Sequence, residues 1–362
     1  MHVAGSPNRG VGVSIIWNDS VRNEIKTILE NDKKFLVDLS ISEKVYPNTS
    51  GIKFDYTGNV NTPKKTNLSP TEFKDLLPCD KEPANLMKYG PHTVKDVAKK
   101  SMQPLEDVNE DEIAFATEAI ASLIDDFDDL TDYEIIKGNN YLAGLNKDSS
   151  NGYKCLKDKN DYIDFEKGEF KEFFKEELDT LLHNISIGSL TMDDLMKYET
   201  LKDELRMKTK EGVPRSFRVT RLHVIVLSKK VFGKLVENII KTNEFNQIAI
   251  GLNPYIDWDK LYKKLIRCKE KVWASDIKEW DGKMLAQVQT AINDILRQKY
   301  KGKYRDLVDF LLSDLIYSFV LMNDDLWMMN HSMPSGHYLT ALYNSLVNRF
   351  YKAMWFFRYA ED

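Results

Sequence analysis

The chain has 362 residues, which at roughly 150 residues per domain is enough for two to three domains. It carries 51 Lys plus Arg against 56 Asp plus Glu, a net charge of −5. This balance excludes a uniformly basic nucleic-acid-coating protein but not local patches of either sign. At 42% hydrophobic and 30% charged, the composition is that of a globular protein. No apolar run approaches the roughly 18 residues of a membrane span. The three cysteines are odd in number and widely separated, which argues against a disulfide framework.

The first fifty residues combine a strand pattern with a short helix. Residues 11–15 alternate apolar and polar, and Asp19 or Ser20 is a suitable N-cap for a helix that ends near Leu29. The stretch 30–50 is polar and mixed, which predicts a junction. There is no basic start and no small-residue cleavage site, so no signal peptide is predicted.

Charge divides the middle of the chain. Residues 101–136 contain twelve acidic residues and no Lys or Arg, whereas residues 202–241 contain eleven Lys or Arg and four acids. We expect these segments on different surfaces. Apolar residues between 113 and 127 recur at helical spacing, which predicts an amphipathic helix with an acidic outer face. The aspartates at 125–129 fit a solvated face better than a metal site.

Helical patterns dominate the remainder. Short strands are predicted at 217–227 and 271–276, and no internal repeat is present. The predicted fold class is α+β.

Three elements carry chemistry, and the first is a basic run. Cations are dense between Lys202 and Arg218, and several fixed cations can share the charge of a triphosphate. Such runs are usually solvated surfaces or loose RNA contacts. Interleaved apolar residues (Leu205, Val213 and Phe217) favour an ordered ribbon.

The second element is a predicted strand that ends on Asp276, with Asp281 five residues later. A carboxylate at a strand end is well placed to hold Mg²⁺ beside phosphate oxygens. Taken alone, this spacing is weak evidence for a metal site, and a pair of surface acids is the simpler explanation.

The third element begins at Ser335 and Gly336, where the chain can turn sharply into a helix. Thr340, Asn344 and Asn348 then fall four apart on one helix face. A helix–helix contact would use such a row, and a site that reads a sugar hydroxyl would use it equally.

In this order and at these separations, the elements resemble the RNA-dependent RNA polymerases of picornavirus-like viruses. Asp276-x4-Asp281 and Pro334-Ser335-Gly336-x3-Thr340-x3-Asn344 match the two palm motifs, and residues 202–215 match the fingers motif that escorts the nucleotide. Residues 149–153 are similar to the template-entry loop, and residues 65–70 and 81–84 to the N-terminal fingers segment. The resemblance covers roughly residues 51–362.

The resemblance implies a right-hand polymerase with fingers at 51–250 and a partial palm with interleaved fingers segments at 251–362. It makes Asp276 a metal ligand and, with Asp281, a catalytic residue. The implied template-binding residues are Ser150 and Gly152. The implied nucleotide-binding residues are Lys202, Arg206, Lys210, Arg215, Ser335, Gly336, Thr340 and Asn344.

The implied reaction adds a nucleoside monophosphate to an RNA 3′ end with two metal ions, Mg²⁺ or alternatively Mn²⁺. Its partners are an RNA template and primer, nucleoside triphosphates and, as a further expectation, a protein primer. The implied location is the host cytoplasm, in replication complexes at membranes.

The segment 1–29 resembles the last strands of the chymotrypsin-like cysteine protease in the same polyproteins. His2 would be a remnant of the pocket that reads the residue before the cut bond. The nucleophile and the general base of that protease are absent from the sequence, so we expect no protease activity. A junction at 30–50 would follow, with a Glu-type cleavage site at Glu30 or Glu43 or no cleavage.

The sequence also departs from the polymerase pattern. Residues 212–215 lack one cation of the fingers motif, and Arg218 is the nearest replacement. No Gly-Asp-Asp occurs in the 362 residues, so we expect a fragment that is inactive alone. Asn323-Asp324-Asp325 looks like that motif but precedes Ser335, which predicts a plain hairpin turn.

Two other functions stay open at this stage. The basic segment 202–241 would also suit a non-catalytic RNA-binding module. Residues 334–337 spell Pro-Ser-Gly-His, a sequence of lipid-phosphatase and haloperoxidase enzymes, in which His337 would assist phosphoryl transfer. The chain has no Arg-Pro and no His after His337, which that family requires.

Overall fold

The computed structural model describes residues 49–53, 81–86, 108–155, 157–210, 213–268, 277, 280–322, 325–329 and 332–359. Helices and strands alternate irregularly along these residues, so the predicted α+β class is confirmed. The helices are α1 (Glu110–Ala121), α2 (Asp132–Lys137), α3 (Lys159–Tyr162), α4 (Glu172–Ser186), α5 (Met192–Leu195), α6 (Leu222–Lys241), α7 (Asn243–Asn246), α8 (Pro254–Cys268), α9 (Ala286–Lys299), α10 (Arg305–Ile316) and α11 (Thr340–Tyr359). The strands are β1 (Thr49–Lys53), β2 (Lys81–Pro83), β3 (Ile163–Asp164), β4 (Glu169–Phe170), β5 (Met196–Leu201), β6 (Leu205–Met207), β7 (Ser216–Val219), β8 (Ser318–Met322) and β9 (Asp325–Met329).

A five-stranded mixed sheet has the order β1-β9-β8-β5-β7. Only β5 and β8 are parallel; the other neighbours are antiparallel. Strands β8 and β9 form a hairpin in which Met322 lies opposite Asp325. The predicted hairpin is therefore confirmed by the pairing of its strands, whereas residues 323 and 324 lie outside the described residues. Strand β7 is one edge of this sheet, and it carries Arg218 of the basic segment.

The core is one cluster of apolar side chains from α1, α4, α6, α9, α10 and α11 and from the sheet. Helix α6 supplies a continuous row to it, including Val231, Phe232 and Leu235. None of the described helices is long and apolar enough to cross a membrane.

The helix predicted over 113–127 is shorter in the structure. Helix α1 starts at an Asn109 cap, whose side chain accepts a hydrogen bond from the Asp111 amide at 2.8 Å, and it ends at Ala121. Phe127 is buried as predicted, but it lies beyond the helix because its backbone pairs with the segment around Tyr300.

The strand predicted over 217–227 is also too long. Strand β7 ends at Val219, and α6 begins at Leu222. Residues 222–227 are rich in β-branched side chains, which favour strands locally. Their apolar positions continue at helical spacing through the following residues, and burial of that face in the core overrides the local preference.

The acidic and basic segments do not lie on separate surfaces, contrary to expectation. Lys230 of α6 pairs with Asp132 at 2.7 Å, and Lys234 pairs with Glu134 at 3.3 Å. Helix α2 thus covers part of α6 and neutralises two of its lysines.

Candidate functional site

Strand β7 is the point at which the predicted motifs meet. Gly336 forms a parallel bridge with Val219. A Cβ atom at Gly336 would lie 2.1 Å from the Arg218 carbonyl oxygen, far inside contact distance. The Ser335–Gly336 turn can approach the strand this closely only because residue 336 has no side chain.

Asp281 lies on a 3-10 turn, Trp280–Gly282, that is fixed from two sides. Its carbonyl accepts a hydrogen bond from the Met333 amide at 2.9 Å, which ties the turn to the Ser335–Gly336 loop. Tyr351 of α11 packs edge-on against Trp280, with ring centroids 5.7 Å apart. The Tyr351 hydroxyl accepts a hydrogen bond from the Leu285 amide at 2.9 Å. Asp281 is therefore held between the loop and α11.

The basic segment gathers around one carboxylate, Glu204. Arg215 binds it through Nε at 2.6 Å and through a second guanidinium nitrogen. Arg206 lies 3.4 Å and Lys202 3.8 Å from its oxygens. Burial raises the pKa of Glu204, but the hydrogen bond from Arg215 and the three positive charges outweigh it, so that the pKa falls below its usual value. Three predicted triphosphate ligands thus share one counter-charge in the free protein.

Backbone pairing orders the same segment. The Lys202 amide donates to the Arg215 carbonyl at 2.7 Å, which continues the β5–β7 ladder. Arg206 lies on β6 opposite Glu82 of β2, so the 81–84 segment pairs with the basic segment. Lys210 ends the short 3-10 helix Lys208–Lys210, and its side chain lies outside the described part of the structure.

Arg218 does not join this exposed group. It is 4% exposed and lies 3.3 Å from the carboxylate of Glu199 on β5, which is also buried. The structure therefore places Arg218 in the interior beside the site. It does not replace the missing surface cation of the fingers motif.

The predicted template loop lies just beyond the C-terminal end of β7, where the chain enters α6. The Leu222 amide donates to the Asn151 carbonyl at 2.8 Å. Gly152 has a φ of +83°, and a Cβ there would lie 2.6 Å from the Arg221 Cα, so only glycine fits this position. The Ser150 hydroxyl is 2.9 Å from the Tyr198 hydroxyl of β5. Ser150 and Gly152 thus lie directly beside the β7–α6 junction.

Helix α11 begins at Thr340, as predicted from the Ser-Gly entry. The Thr340 hydroxyl donates to the His337 carbonyl at 2.7 Å and so closes the first turn. Asn344 lines an open cavity of about 340 Å³, together with Trp280, Asn348 and Lys352. The Asn344 Oδ1 atom is buried and accepts no hydrogen bond, so it is a free acceptor next to the Asp281 turn.

His337 faces the core. It is 5% exposed, its Nδ1 accepts from the Leu339 amide at 3.1 Å, and its Nε2 lies 3.0 Å from the Ser228 hydroxyl. Burial and the charge of Lys197 lower the pKa of His337 to about 3. A buried neutral imidazole with both nitrogens engaged cannot reach a substrate phosphate in solvent.

The structure brings most of the predicted site residues to one region around β7. These are Ser150, Gly152, Lys202, Arg206, Arg215, Asp281, Ser335, Gly336, Thr340 and Asn344. Asp276 and His2 lie outside the described residues, as do residues 65–70. Within the described residues, no three His, Cys, Asp or Glu side chains are grouped so that they could hold a metal ion.

Sequence reasoning missed two acidic residues of this region. Glu204 lies between Lys202 and Arg206 in the sequence, so an acid among cations was an available signal. Glu199 gave no such signal, because only the β5–β7 register, which pairs it with Arg218, brings it to the site.

A family model described as viral RNA-dependent RNA polymerase matches residues 69–362. The chain therefore belongs to the viral RNA-dependent RNA polymerase family. A Sicinivirus 3Dpol RNA-dependent RNA polymerase has the same fold, with a TM-score of 0.71 at 23% identity. The match covers 83% of this chain and 66% of that one.

Curated relatives point to picornavirus-like polyproteins. The chain is 25% identical over 303 residues to the genome polyprotein of poliovirus type 1 (strain Mahoney), covering 80% of the chain. It is 26% identical over 237 residues to the replicase polyprotein of cricket paralysis virus, covering 58% of the chain. The matches span 13% of each polyprotein. The predicted relationship to the polymerase region of these polyproteins is confirmed, whereas the protease remnant at 1–29 stays a prediction.

Proposed function

We propose that this chain provides the nucleotide and template sites of a viral RNA-directed RNA polymerase. The observation that carries the proposal is that the basic segment contacts two separately predicted motifs. Its strand β7 meets the Ser335–Gly336 loop, and the residues that follow β7 meet the template loop. Asp281 joins them through the Met333 hydrogen bond.

In this proposal, Lys202, Arg206 and Arg215 hold the triphosphate, and its oxygens replace Glu204 as their counter-charge. The Asp281 carboxylate and the free Asn344 oxygen accept hydrogen bonds from the ribose hydroxyls. The 2′ hydroxyl distinguishes RNA precursors from DNA precursors. Ser150 and Gly152 guide the template strand past β7.

Polymerases of this family generally use divalent metal ions. We propose Mg²⁺ for this chain, with Mn²⁺ as the alternative and Asp276 as the ligand. Bound metal would assist ionisation of the 3′ hydroxyl and departure of pyrophosphate. The proposal also includes a protein primer and replication complexes at host cytoplasmic membranes. It divides the chain into fingers at 51–250 and a partial palm with interleaved fingers segments at 251–362.

Calorimetric titration of the chain with GTP and with 2′-deoxy-GTP, in Mg²⁺ and a short RNA template, tests this function. We expect GTP to bind more tightly, and we expect Asp281→Ala to reduce the difference by weakening GTP more than deoxy-GTP. An unchanged GTP preference in Asp281→Ala would contradict the role of Asp281.

Primer extension supplies a second measurement. Because the 362 residues contain no Gly-Asp-Asp, we expect no templated incorporation by this chain alone. Incorporation above that of an Asp276→Ala control would overturn this expectation. In a chain extended through such a motif, Asp276→Asn should abolish incorporation.

The RNA-binding module is the rival from another class. It would show a steep loss of RNA affinity with salt and no response to nucleotide or Mg²⁺. The ion pairs of Lys230 and Lys234 with acids of the preceding segment weigh against a free basic face on α6. The buried, neutral His337 weighs against the phosphatase. Phosphomonoester hydrolysis that is lost in His337→Ala would restore that alternative.

A further inference from the structure

Arg218 has hydrogen-bonding capacity that the described structure does not use. Its guanidinium is buried, yet Nη1 has no hydrogen-bond partner. Its Nε atom lies 3.3 Å from Oε2 of Glu199, so the ion pair engages one side of the guanidinium and leaves Nη1 unpaired. A buried donor without an acceptor is costly, so an acceptor for this guanidinium is expected at the site.

The loop of residues 333–336 fixes Arg218 relative to Asp281. Its first residue donates to the Asp281 carbonyl, and its last, Gly336, lies against the Arg218 carbonyl. The backbone of this one short loop therefore contacts both Asp281 and Arg218.

The charge of Asp281 acts on the buried Arg218–Glu199 pair. Burial lowers the pKa of Arg218, and the negative charges of Glu199 and Asp281 oppose that change. Burial raises the pKa of Glu199, the Arg218 charge lowers it, and Asp281 adds to the rise. Asp281 thus lies within electrostatic reach of the buried pair.

We propose that Arg218 is a positioning residue for Asp281, whose carboxylate it orients toward the 2′ hydroxyl of the incoming ribonucleotide. This inference rests on the proposed function. Arg215 is also within electrostatic reach of Asp281, but its side chain is 57% exposed and bound to Glu204. Arg215 therefore serves the triphosphate, whereas Arg218 sets the preference for ribose over deoxyribose.

The test compares the dissociation constants of 2′-deoxy-GTP and GTP for the full chain and its variants, in Mg²⁺ and template RNA. Because the 2′ hydroxyl donates a hydrogen bond to a charged carboxylate in this proposal, we expect the wild-type chain to bind 2′-deoxy-GTP roughly tenfold more weakly than GTP. Arg218→Gln should bring the ratio to within about twofold of unity, since the orientation of Asp281 is lost. Arg218→Lys should restore part of it. The double variant Arg218→Gln, Asp281→Ala should have the same ratio of dissociation constants as Asp281→Ala alone.

Arg218→Gln leaves Glu199 buried without its partner, so structural damage needs separate controls. Arg358→Gln is matched, because Arg358 also pairs with a buried acid, Glu112, at 2.8 Å but lies at the far end of α11. It should keep the wild-type ratio. The double variant Glu199→Gln, Arg218→Gln removes both charges and should lose the ratio, whereas Glu199→Gln alone should keep it.

The outcomes separate the two proposals. A wild-type ratio near unity would contradict the proposed function and this inference with it. A clear wild-type ratio that survives in Arg218→Gln, or that falls equally in Glu199→Gln, would overturn the role of Arg218 alone.

Discussion

A single glycine determines whether the two halves of the site can meet. Gly336 brings the loop against the main chain of β7, where any side chain would displace the loop or the strand. Because the same loop holds the Asp281 turn, a shift at Gly336 would reach the proposed ribose contact.

Gly336→Ala should therefore weaken GTP binding severalfold and lower the free energy of unfolding by about 1–3 kcal/mol, the usual cost of overpacking. Titration calorimetry and urea denaturation measure the two effects. Gly188→Ala is the control: its φ is +66°, but a Cβ there meets nothing within 4 Å. It should cost a comparable 1–2 kcal/mol or so through backbone strain and leave GTP binding unchanged. Equal GTP affinity in both variants would contradict the steric role of Gly336.

At the scale of elements, a buried ion pair joins the sheet to the helical layer. Lys197 of β5 donates to Asp314 of α10 at 2.5 Å, and the two side chains are 2% and 3% exposed. Burial lowers the pKa of Lys197 and raises that of Asp314, while each charge opposes the change in its partner. The pair fixes β5, whose neighbour β7 carries Arg218.

Lys197→Met should lower the free energy of unfolding by about 3–5 kcal/mol, because it leaves a carboxylate buried without a partner. Lys197→Met with Asp314→Leu should recover most of that loss, since two apolar side chains replace the pair. Urea denaturation of the two variants measures both values. A double variant less stable than the single one would show that the ion pair itself supplies the stability.

At the scale of the whole molecule, two buried histidines make the free energy of unfolding depend on pH. Burial and the Arg221 charge lower the pKa of His223 to about 4, and that of His337 is about 3, both from 6.5. Below pH 6.5 the unfolded chain takes up protons that the folded chain does not. The free energy of unfolding should therefore fall as the pH drops from 6.5 toward 4, by up to about 1.4 kcal/mol per pH unit for each histidine.

His223→Gln and His337→Gln should each remove the contribution of one proton from the slope of unfolding free energy against pH, which is about 1.4 kcal/mol per pH unit. Urea denaturation at several pH values between 4 and 6.5 gives the slope directly. The exposed His183, substituted as His183→Gln, controls for the loss of a histidine. A slope that stays at the wild-type value in both buried variants would contradict the assignment.

Sequence patterns predicted the α+β class, the β8–β9 hairpin, the entry into α11 and the polymerase family. These features follow from local spacing and from motifs that are contiguous in the chain. The ends of α1 and β7 were wrong because tertiary contacts, at Phe127 and along α6, overrode local preference. The pairs Arg218–Glu199 and Lys230–Asp132 could not be predicted, since register and helix docking bring together residues distant in sequence.

The contact between Gly336 and β7 uses main-chain atoms: a carbonyl of residue 218 and a bridge at residue 219. Such a contact requires glycine on one side and no particular side chain on the other. Substitutions can therefore accumulate along the strand without moving the loop.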